Sequence, residues 1–161
     1  MTDAERCIQG RLALPRFMSL HSAVWRVHCS AVDDLNLIEK SLLSLSKGKG
    51  EVIQEKSKSY HGAPQTTLEL TITRKKNARE SLLGLGREVL ENMIEGGITT
   101  FIDEDKTLHL RLDIDELVQG NMKIATGNSR KIGVKGKFKI EAYPGQNPEE
   151  IVLGLISDYL A

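Results

Sequence analysis

Strict alternation of apolar and polar residues marks a segment near the C-terminal end of the chain as a strand. In "RKIGVKGKFKIEAYP", residues 130–144, apolar residues or glycine take every second position and lysines stand between them. Successive strand side chains leave opposite faces of a sheet, so this segment predicts a strand with one buried and one basic side. The segments "HSAVWRVHCSAV" (21–32), "QTTLELTIT" (65–73) and "KTLHLRLD" (106–113) alternate in the same way and predict three further strands.

The apolar positions of these four segments are expected to meet in one core. Each segment gives one face to that core: Trp25, Val27 and Cys29; Leu68, Leu70 and Ile72; Leu108, Leu110 and Leu112; and Val134, Phe138 and Ile140. The opposite positions are mostly polar or charged, so the other face of the sheet is expected to stay open to water.

Three segments show the periodicity of an amphipathic helix. The first, "DDLNLIEKSLLSL", begins at an aspartate N-cap, either Asp33 or Asp34. The second, residues 77–95, is the longest predicted helix and stops at a pair of glycines. The third begins at Asn147, which is followed by a proline at the first helical position.

Three weaker patterns complete the predicted elements. "EVIQEKS" predicts a weak strand, and "IDELVQG" predicts a single turn of helix. "MKIA", residues 122–125, is predicted to form a hairpin with the lysine-containing strand around "TGNS".

The order of the predicted elements is strand, helix, two strands, helix, three strands, helix. Short connections between consecutive strands favour antiparallel pairing, and helices are needed to cover the apolar face. The sequence therefore predicts an α+β two-layer sandwich, with about three helices on one face of a mostly antiparallel sheet. A single domain over residues 19–161 is expected, preceded by an N-terminal extension, residues 1–18.

The composition predicts a protein of the cytoplasm without membrane contact. The 161 residues include 22 Lys and Arg and 22 Asp and Glu, so the formal net charge is zero. No apolar run approaches the ~18 residues of a membrane span, and the first residues lack the apolar stretch of a secretory signal. The two cysteines, Cys7 and Cys29, form no disulfide framework, which fits a reducing compartment.

Basic residues are concentrated locally even though the net charge is zero. Residues 121–140 contain six basic residues and no acid, and "RKKNAR", residues 74–79, adds four more. Two interpretations fit lysines at alternate strand positions: a charged face that prevents sticking, or a surface that holds phosphate groups. The same choice applies to residues 74–79, which lie where a strand meets a helix N-terminus, a place that favours anions.

Four segments carry a family resemblance: "HCSAVDDLNLIEKSL", "YHGAPQTTLELTITRKKNARE", "IDEDKTLHLRLD" and "KIEAYPGQNPEEIVLGL". Their order and spacing resemble the archaeal RNA-binding proteins described as predicted exosome-associated subunits. The resemblance implies RNA binding in the archaeal cytosol, with the exosome or other RNA-processing proteins as partners. It also implies a fold like that of the ribosomal protein L-five, which holds the small ribosomal RNA in the large subunit. The family's middle motif commonly reads His-Gly-Asn-Pro, and this chain has Ala63 in place of the Asn.

The candidate RNA-binding residues are the basic residues of these segments and of the neighbouring strands. They are Lys131, Lys135, Lys137, Lys139, Arg74, Lys75, Lys76, Arg79, Arg26, Arg111 and His61. For His61, which stands in "YHGAP", the simpler interpretation is a rigid turn. Aromatic residues are scarce, so platforms that stack splayed bases are poorly supplied, and structured RNA held by its backbone is the expected partner.

Catalytic and metal-binding patterns are weak. His28 and Cys29 are adjacent in a strand and therefore leave opposite faces, and neither C-x-x-C nor GxxxxGK[ST] occurs. The acids of residues 103–105 could bind a cation, but a hairpin turn rich in acids is the simpler interpretation. We therefore expect a protein without catalytic activity, cofactor or metal.

Two further hypotheses remain open. In one, the open sheet face or an edge strand pairs two copies of the chain as a homodimer, or docks a partner protein. In the other, the chain is a small hydrolase that uses His28, His109 and the acids.

Overall fold

One antiparallel sheet organises the computed structural model of the chain, which describes residues 20–30, 33–58, 62–125 and 133–161. Its five strands in the described residues are β1 (Leu20–Ser30), β2 (Glu51–Lys58), β3 (Pro64–Ile72), β4 (Thr107–Leu112) and β5 (Val134–Ile140). Their spatial order is β2-β3-β1-β5-β4, and every neighbouring pair is antiparallel. β1 is therefore the central strand, flanked by β3 and β5.

Helices cover the apolar face of this sheet. In the described residues they are α1 (Leu35–Ser44), α2 (Lys75–Leu83), α3 (Arg87–Glu95), α4 (Ile114–Val118) and α5 (Pro148–Leu160), with a 3-10 turn at Ile98–Phe101. Their buried side chains join those of the strands in one hydrophobic core. The predicted α+β sandwich with a mostly antiparallel sheet is confirmed.

The predicted core faces are also confirmed. All twelve residues assigned to the buried faces of β1, β3, β4 and β5 are at most 3% exposed. Trp25 lies at the centre, where its ring meets Phe138 edge-on with the ring centroids 5.4 Å apart. The indole Nε1–H donates to Ser81 Oγ of α2 at 2.9 Å, so this buried polar group has a partner and ties α2 to the sheet.

The long helix predicted over residues 77–95 is wrong in one respect, because the structure divides it. α2 ends at the Gly84 C-cap, and α3 begins after Gly86, whose φ of +97° belongs to the region that glycine favours. The apolar periodicity continues across the break, and Leu85 between the two glycines is buried. The buried side chains therefore keep the helical spacing although the backbone is interrupted.

The helix ends match the sequence signals. Asp34 is the N-cap of α1, where its side chain accepts a hydrogen bond from the Leu37 N–H at 3.2 Å. Asn147 caps α5 by accepting from the Glu149 N–H at 2.9 Å. These contacts satisfy backbone donors that would otherwise lack partners at the start of each helix.

The pairing predicted for residues 122–125 is wrong. Ile124 forms an antiparallel bridge with Leu112 of β4, and the Ala125 N–H donates to the carbonyl of Arg111 at 2.8 Å. This segment therefore lies along the outer edge of β4, while β5 lies on the inner side of β4 between it and β1. The "TGNS" turn of the predicted hairpin lies outside the described residues.

Candidate nucleic-acid interface

Polar side chains line the sheet face opposite the helices. Register alone decides which of them are neighbours, because directly opposite residues on adjacent strands lie on the same face with Cβ atoms ~5 Å apart. Lys135 of β5 is opposite Arg26 of β1 on one side and opposite Arg111 of β4 on the other. Three cations thus stand in one row across three strands.

Two further rows extend this positive surface along β5. Lys137 lies between Val24 of β1 and His109 of β4, and Lys139 lies between Ser22 and Thr107. The outward positions of β4 and β5 carry no acid. We use the name basic half-face for the outward side chains of β1, β5 and β4 that bear charge: Arg26, Lys135, Lys137, Lys139 and Arg111.

The lowered pKa of Lys135 reflects its place at the centre of this cluster. Partial burial is the first cause that lowers its pKa, and the positive charges of Lys137, Arg111 and Arg26 lower it further. Each of these neighbours destabilises the charged form of Lys135, so an anion placed among them would relieve the repulsion.

The other half of the same sheet face has the opposite character. Glu69 of β3 pairs with Arg26 through one carboxylate oxygen, 2.8 Å from Nε and 2.6 Å from Nη2. Beyond β3, the outward positions of β2 include Glu51 and Glu55, with exposed Ile53 between them. The open face is therefore divided, with acids on the β2–β3 side and the basic half-face on the β1–β5–β4 side.

The basic junction at residues 74–79 lies beside the end of β5. Arg74 is the N-cap of α2 without a side-chain capping bond, and Lys75 pairs with Glu141 at 2.7 Å. Glu141 follows Lys139 by two residues, so this ion pair connects the junction to the end of the basic half-face. Lys76 is exposed, whereas Arg79 is half-buried.

A contact missed by the sequence analysis joins a turn to the open face. Asp103 accepts backbone hydrogen bonds from Asp105 and Thr107, and its second oxygen accepts from His109 Nε2. The hydrogen bond from His109 is the first cause of the lowered pKa of Asp103, and the backbone donors lower it further. The acids of residues 103–105 lie in the predicted hairpin turn, which is closed by the bridge between Ile102 and Leu108 and brings Asp103 to His109.

The structure separates the two histidines that a hydrolase would need. His28 contacts Thr67 Oγ1 at 2.9 Å on the β3 side of β1, whereas His109 lies opposite Lys137 on β4. The register places them two strands and four residues apart, roughly 15 Å. Within the described ranges, no group of three or more His, Cys, Asp or Glu is arranged to hold a metal ion.

Two candidate residues, Lys131 and His61, lie outside the described residues. The remaining nine fall into two groups: five on the basic half-face and four at the junction. The outward strand positions that the structure describes carry no Trp, Tyr or Phe. In the described part of the chain, no helix is long and apolar enough to cross a membrane.

A five-stranded α+β sandwich with a basic half-face on its open side fits a protein that binds a polyanion. The chain belongs to the family described as RNA binding, whose model matches residues 23–139. That range runs from β1 into β5 and contains the whole basic half-face. The predicted membership in an RNA-binding family is confirmed.

Solved structures of archaeal proteins have a similar fold. Mth689, a DUF54 protein from Methanothermobacter thermautotrophicus, superposes with a TM-score of 0.67 at 22% identity, covering 89% of this chain and 99% of that chain. The DUF54 protein SSO0741 from Sulfolobus solfataricus gives 0.64 at 17% identity, covering 85% and 98%. A UPF0201 protein from Methanococcus jannaschii gives 0.56 at 11% identity, covering 84% and 92%. No curated protein matches the chain.

Proposed function

We propose that this chain is a non-catalytic RNA-binding protein whose basic half-face holds the phosphate backbone of structured RNA. One observation carries the proposal: Arg26, Lys135 and Arg111 form an unbroken row of cations across β1, β5 and β4. Membership in the RNA-binding family supports RNA as the polyanion.

The chemistry of the side chains favours backbone contacts over base recognition. Lysine binds phosphate as a point charge, and phosphate contacts fix position without carrying sequence information. Lys135, Lys137 and Lys139 follow one strand with a spacing of ~6.8 Å between alternate residues. Such a straight track suits a regular run of phosphates, so we expect affinity that depends little on RNA sequence.

The absence of aromatic side chains from the described outward strand positions favours structured RNA over single strands. Proteins that hold single-stranded RNA usually stack splayed bases on Phe, Tyr or Trp. A face that offers cations without such platforms is better suited to a helical RNA, whose bases are already stacked on one another.

The junction at residues 74–79 extends the proposed interface around the end of the sheet. Because Lys75 is held by Glu141, its charge is partly neutralised. Arg74 and Lys76 are exposed at the start of α2 and are the stronger candidates for phosphate contacts there. We assign Arg79 a smaller part because it is half-buried.

A titration of RNA at several salt concentrations tests the proposal. A fluorescent RNA hairpin and a single strand of the same composition would be compared between low and high salt. The proposal expects the hairpin to bind more tightly and log affinity to fall with log salt by about 0.7 to 0.9 per phosphate contact. Failure of both RNAs to bind at low salt would contradict it.

One observation favours a second function, a protein-docking or dimerising module. Ile53 is 53% exposed on β2, which is an end strand of the sheet in the described residues, and an end strand can pair with a strand of another chain. Sedimentation of the wild type and Ile53→Lys would detect self-association through this edge. Co-purification with exosome subunits from the source cells would test the partner that the family resemblance implies.

A further inference from the structure

A small depression lies between β1 and β5 on the basic half-face. It is lined by Val24, Arg26, Lys135 and Lys137, with a volume of about 10 Å³. That is roughly the space of one water-sized group. It is therefore large enough for a single oxygen atom of a bound anion.

The register explains why the depression is there. Val24 lies opposite Lys137, and Arg26 lies opposite Lys135, so the four side chains occupy the corners of a rectangle. Three corners carry cations and the fourth carries a short aliphatic side chain. The side chain of Val24 is much shorter than those of its lysine and arginine neighbours, so the depression is deepest over Val24.

The cations of this rectangle differ in whether an acid pairs with them. Arg26 is held from the β3 side by Glu69, which uses Nε and Nη2 and leaves Nη1 outside the pair. Lys135 lies opposite Arg111 of β4 and next to Lys137 on β5. Burial together with these charges lowers the pKa of Lys135. His109 stands beyond Lys137 and is bonded to Asp103. Glu69 thus orients one cation, while no described acid pairs with Lys135.

We propose that this rectangle is a phosphate subsite, in which one phosphate oxygen lies over Val24 and receives hydrogen bonds from Lys135, Lys137 and Arg26. The subsite rests on the proposed RNA-binding function and makes it specific: one phosphate is anchored in a built position, and the others are held by longer-range attraction. The phosphate group belongs either to an internal RNA linkage or to a terminal monophosphate.

Lys139 provides a matched control on the same strand and face. It lies outside the rectangle, and its cross-strand neighbours are the neutral Ser22 and Thr107. Lys135→Met and Lys139→Met each remove one charge and keep most of the aliphatic stem. The subsite predicts that Lys135→Met weakens binding of an RNA hairpin by about tenfold or more, as expected for lost charged hydrogen bonds, and Lys139→Met by about threefold or less.

A second pair of variants tests the shape of the site without changing charge. Val24→Leu fills the depression, whereas Thr107→Leu adds similar bulk beside Lys139. The subsite predicts a loss of affinity of several-fold for Val24→Leu alone, with both proteins folded by circular dichroism. The subsite would be overturned if Lys135→Met and Lys139→Met weakened RNA binding equally and Val24→Leu and Thr107→Leu did so too. RNA binding by the wild type would then still support the proposed function.

Titration with inorganic pyrophosphate separates the subsite from RNA binding. The subsite predicts that pyrophosphate shifts the NMR signals of the Val24 methyl groups and of the Lys135 side chain, and that Val24→Leu abolishes the Lys135 shift. If the wild type bound no RNA but showed these shifts, the proposed function would fail and the subsite would stand. Absence of the shifts would overturn the subsite.

Comparing hairpins with and without a 5′-phosphate then identifies the source of the phosphate group. Equal affinity assigns the site to an internal linkage, and tighter binding of the phosphorylated hairpin assigns it to the terminus.

Discussion

Trp25 on β1 occupies the space that a side chain on its cross-strand partner, Gly136 of β5, would need. A Cβ atom added at Gly136 would lie 2.5 Å from the nearest carbon of the indole ring, well inside the 3.0 Å below which Cβ atoms essentially never approach another heavy atom. The ring can therefore occupy this position against β5 only because residue 136 is glycine. Lys135 and Lys137, the neighbours of Gly136, point to the opposite face, so the same short segment serves both the core and the basic half-face.

Gly136→Ala is expected to destabilise the protein by about 1–3 kcal/mol, because the added methyl group overpacks a filled core. Lys137→Ala, one residue away on the exposed face, should change stability by less than about 0.5 kcal/mol. Urea unfolding of both variants measures the difference. Equal stabilities would show that the indole can move aside without cost.

Phe138→Ala should cost about 3–5 kcal/mol, since it empties a large, fully buried volume next to Trp25. Denaturant unfolding gives the value directly. A loss below about 1 kcal/mol would place Phe138 outside the core and reverse the assignment of the two faces of β5.

The turn at Asp103 should contribute to stability in a manner that depends on pH. The pKa of Asp103 is lowered from its ordinary value of 3.8, chiefly by the hydrogen bond from His109. A carboxyl with a lowered folded pKa stabilises the fold fully above its ordinary pKa, and this contribution is lost as pH falls through the folded pKa. The stability difference between the wild type and Asp103→Asn should therefore be fully present above pH 3.8 and shrink as the pH falls below that value.

Glu104→Gln serves as the control for that experiment, since it makes the same acid-to-amide change in the same turn without touching the bond to His109. Thermal melts of the three proteins over a range of pH give the comparison. A difference between the wild type and Asp103→Asn that stays constant down to the acid limit would contradict the assigned role of the Asp103–His109 bond.

Folding and RNA binding should both survive a chelator. The described residues form no cluster of ligands for a metal ion, and the proposed interface acts through lysine and arginine. We expect the melting temperature and the affinity for an RNA hairpin to be unchanged in excess EDTA. A fall of the melting temperature would point to a metal site that includes histidines or the acids of residues 103–105.

Much of the fold could be predicted because a half-buried strand alternates apolar and polar residues, and this alternation shows which residues lie on each face. That signal placed Trp25 and Phe138 in the core and the lysines of β5 outside it. The break between α2 and α3 was missed because Leu82, Leu85 and Val89 continue the helical stripe across it. Hydrophobic periodicity indicates which residues are buried. Here the buried stripe continues across a point where the helical backbone hydrogen bonds are interrupted.

Less of the candidate site could be predicted, since it depends on pairings between distant segments. The alternation located the lysines of β5, but only the register shows that Lys135 lies between Arg26 and Arg111. The local sequence does not show that Glu69 pairs with Arg26 from the other side, or that the turn brings Asp103 to His109. The wrong pairing was predicted for residues 122–125 for the same reason, because the alternation of a strand does not show which other strand it pairs with.

Replacement of Lys135, Lys137 and Lys139 by alanine, followed by RNA binding at several salt concentrations, tests the central claim most directly. Each neutralised phosphate contact releases counterions, so the triple variant should bind diverse RNA hairpins more weakly by a similar factor. Its plot of log affinity against log salt should be shallower by roughly two to three units. Its stability should barely change, because these side chains lie on the open face. A triple variant that folds normally and binds RNA with unchanged affinity and unchanged salt slope would contradict the claim that the basic half-face holds the RNA backbone.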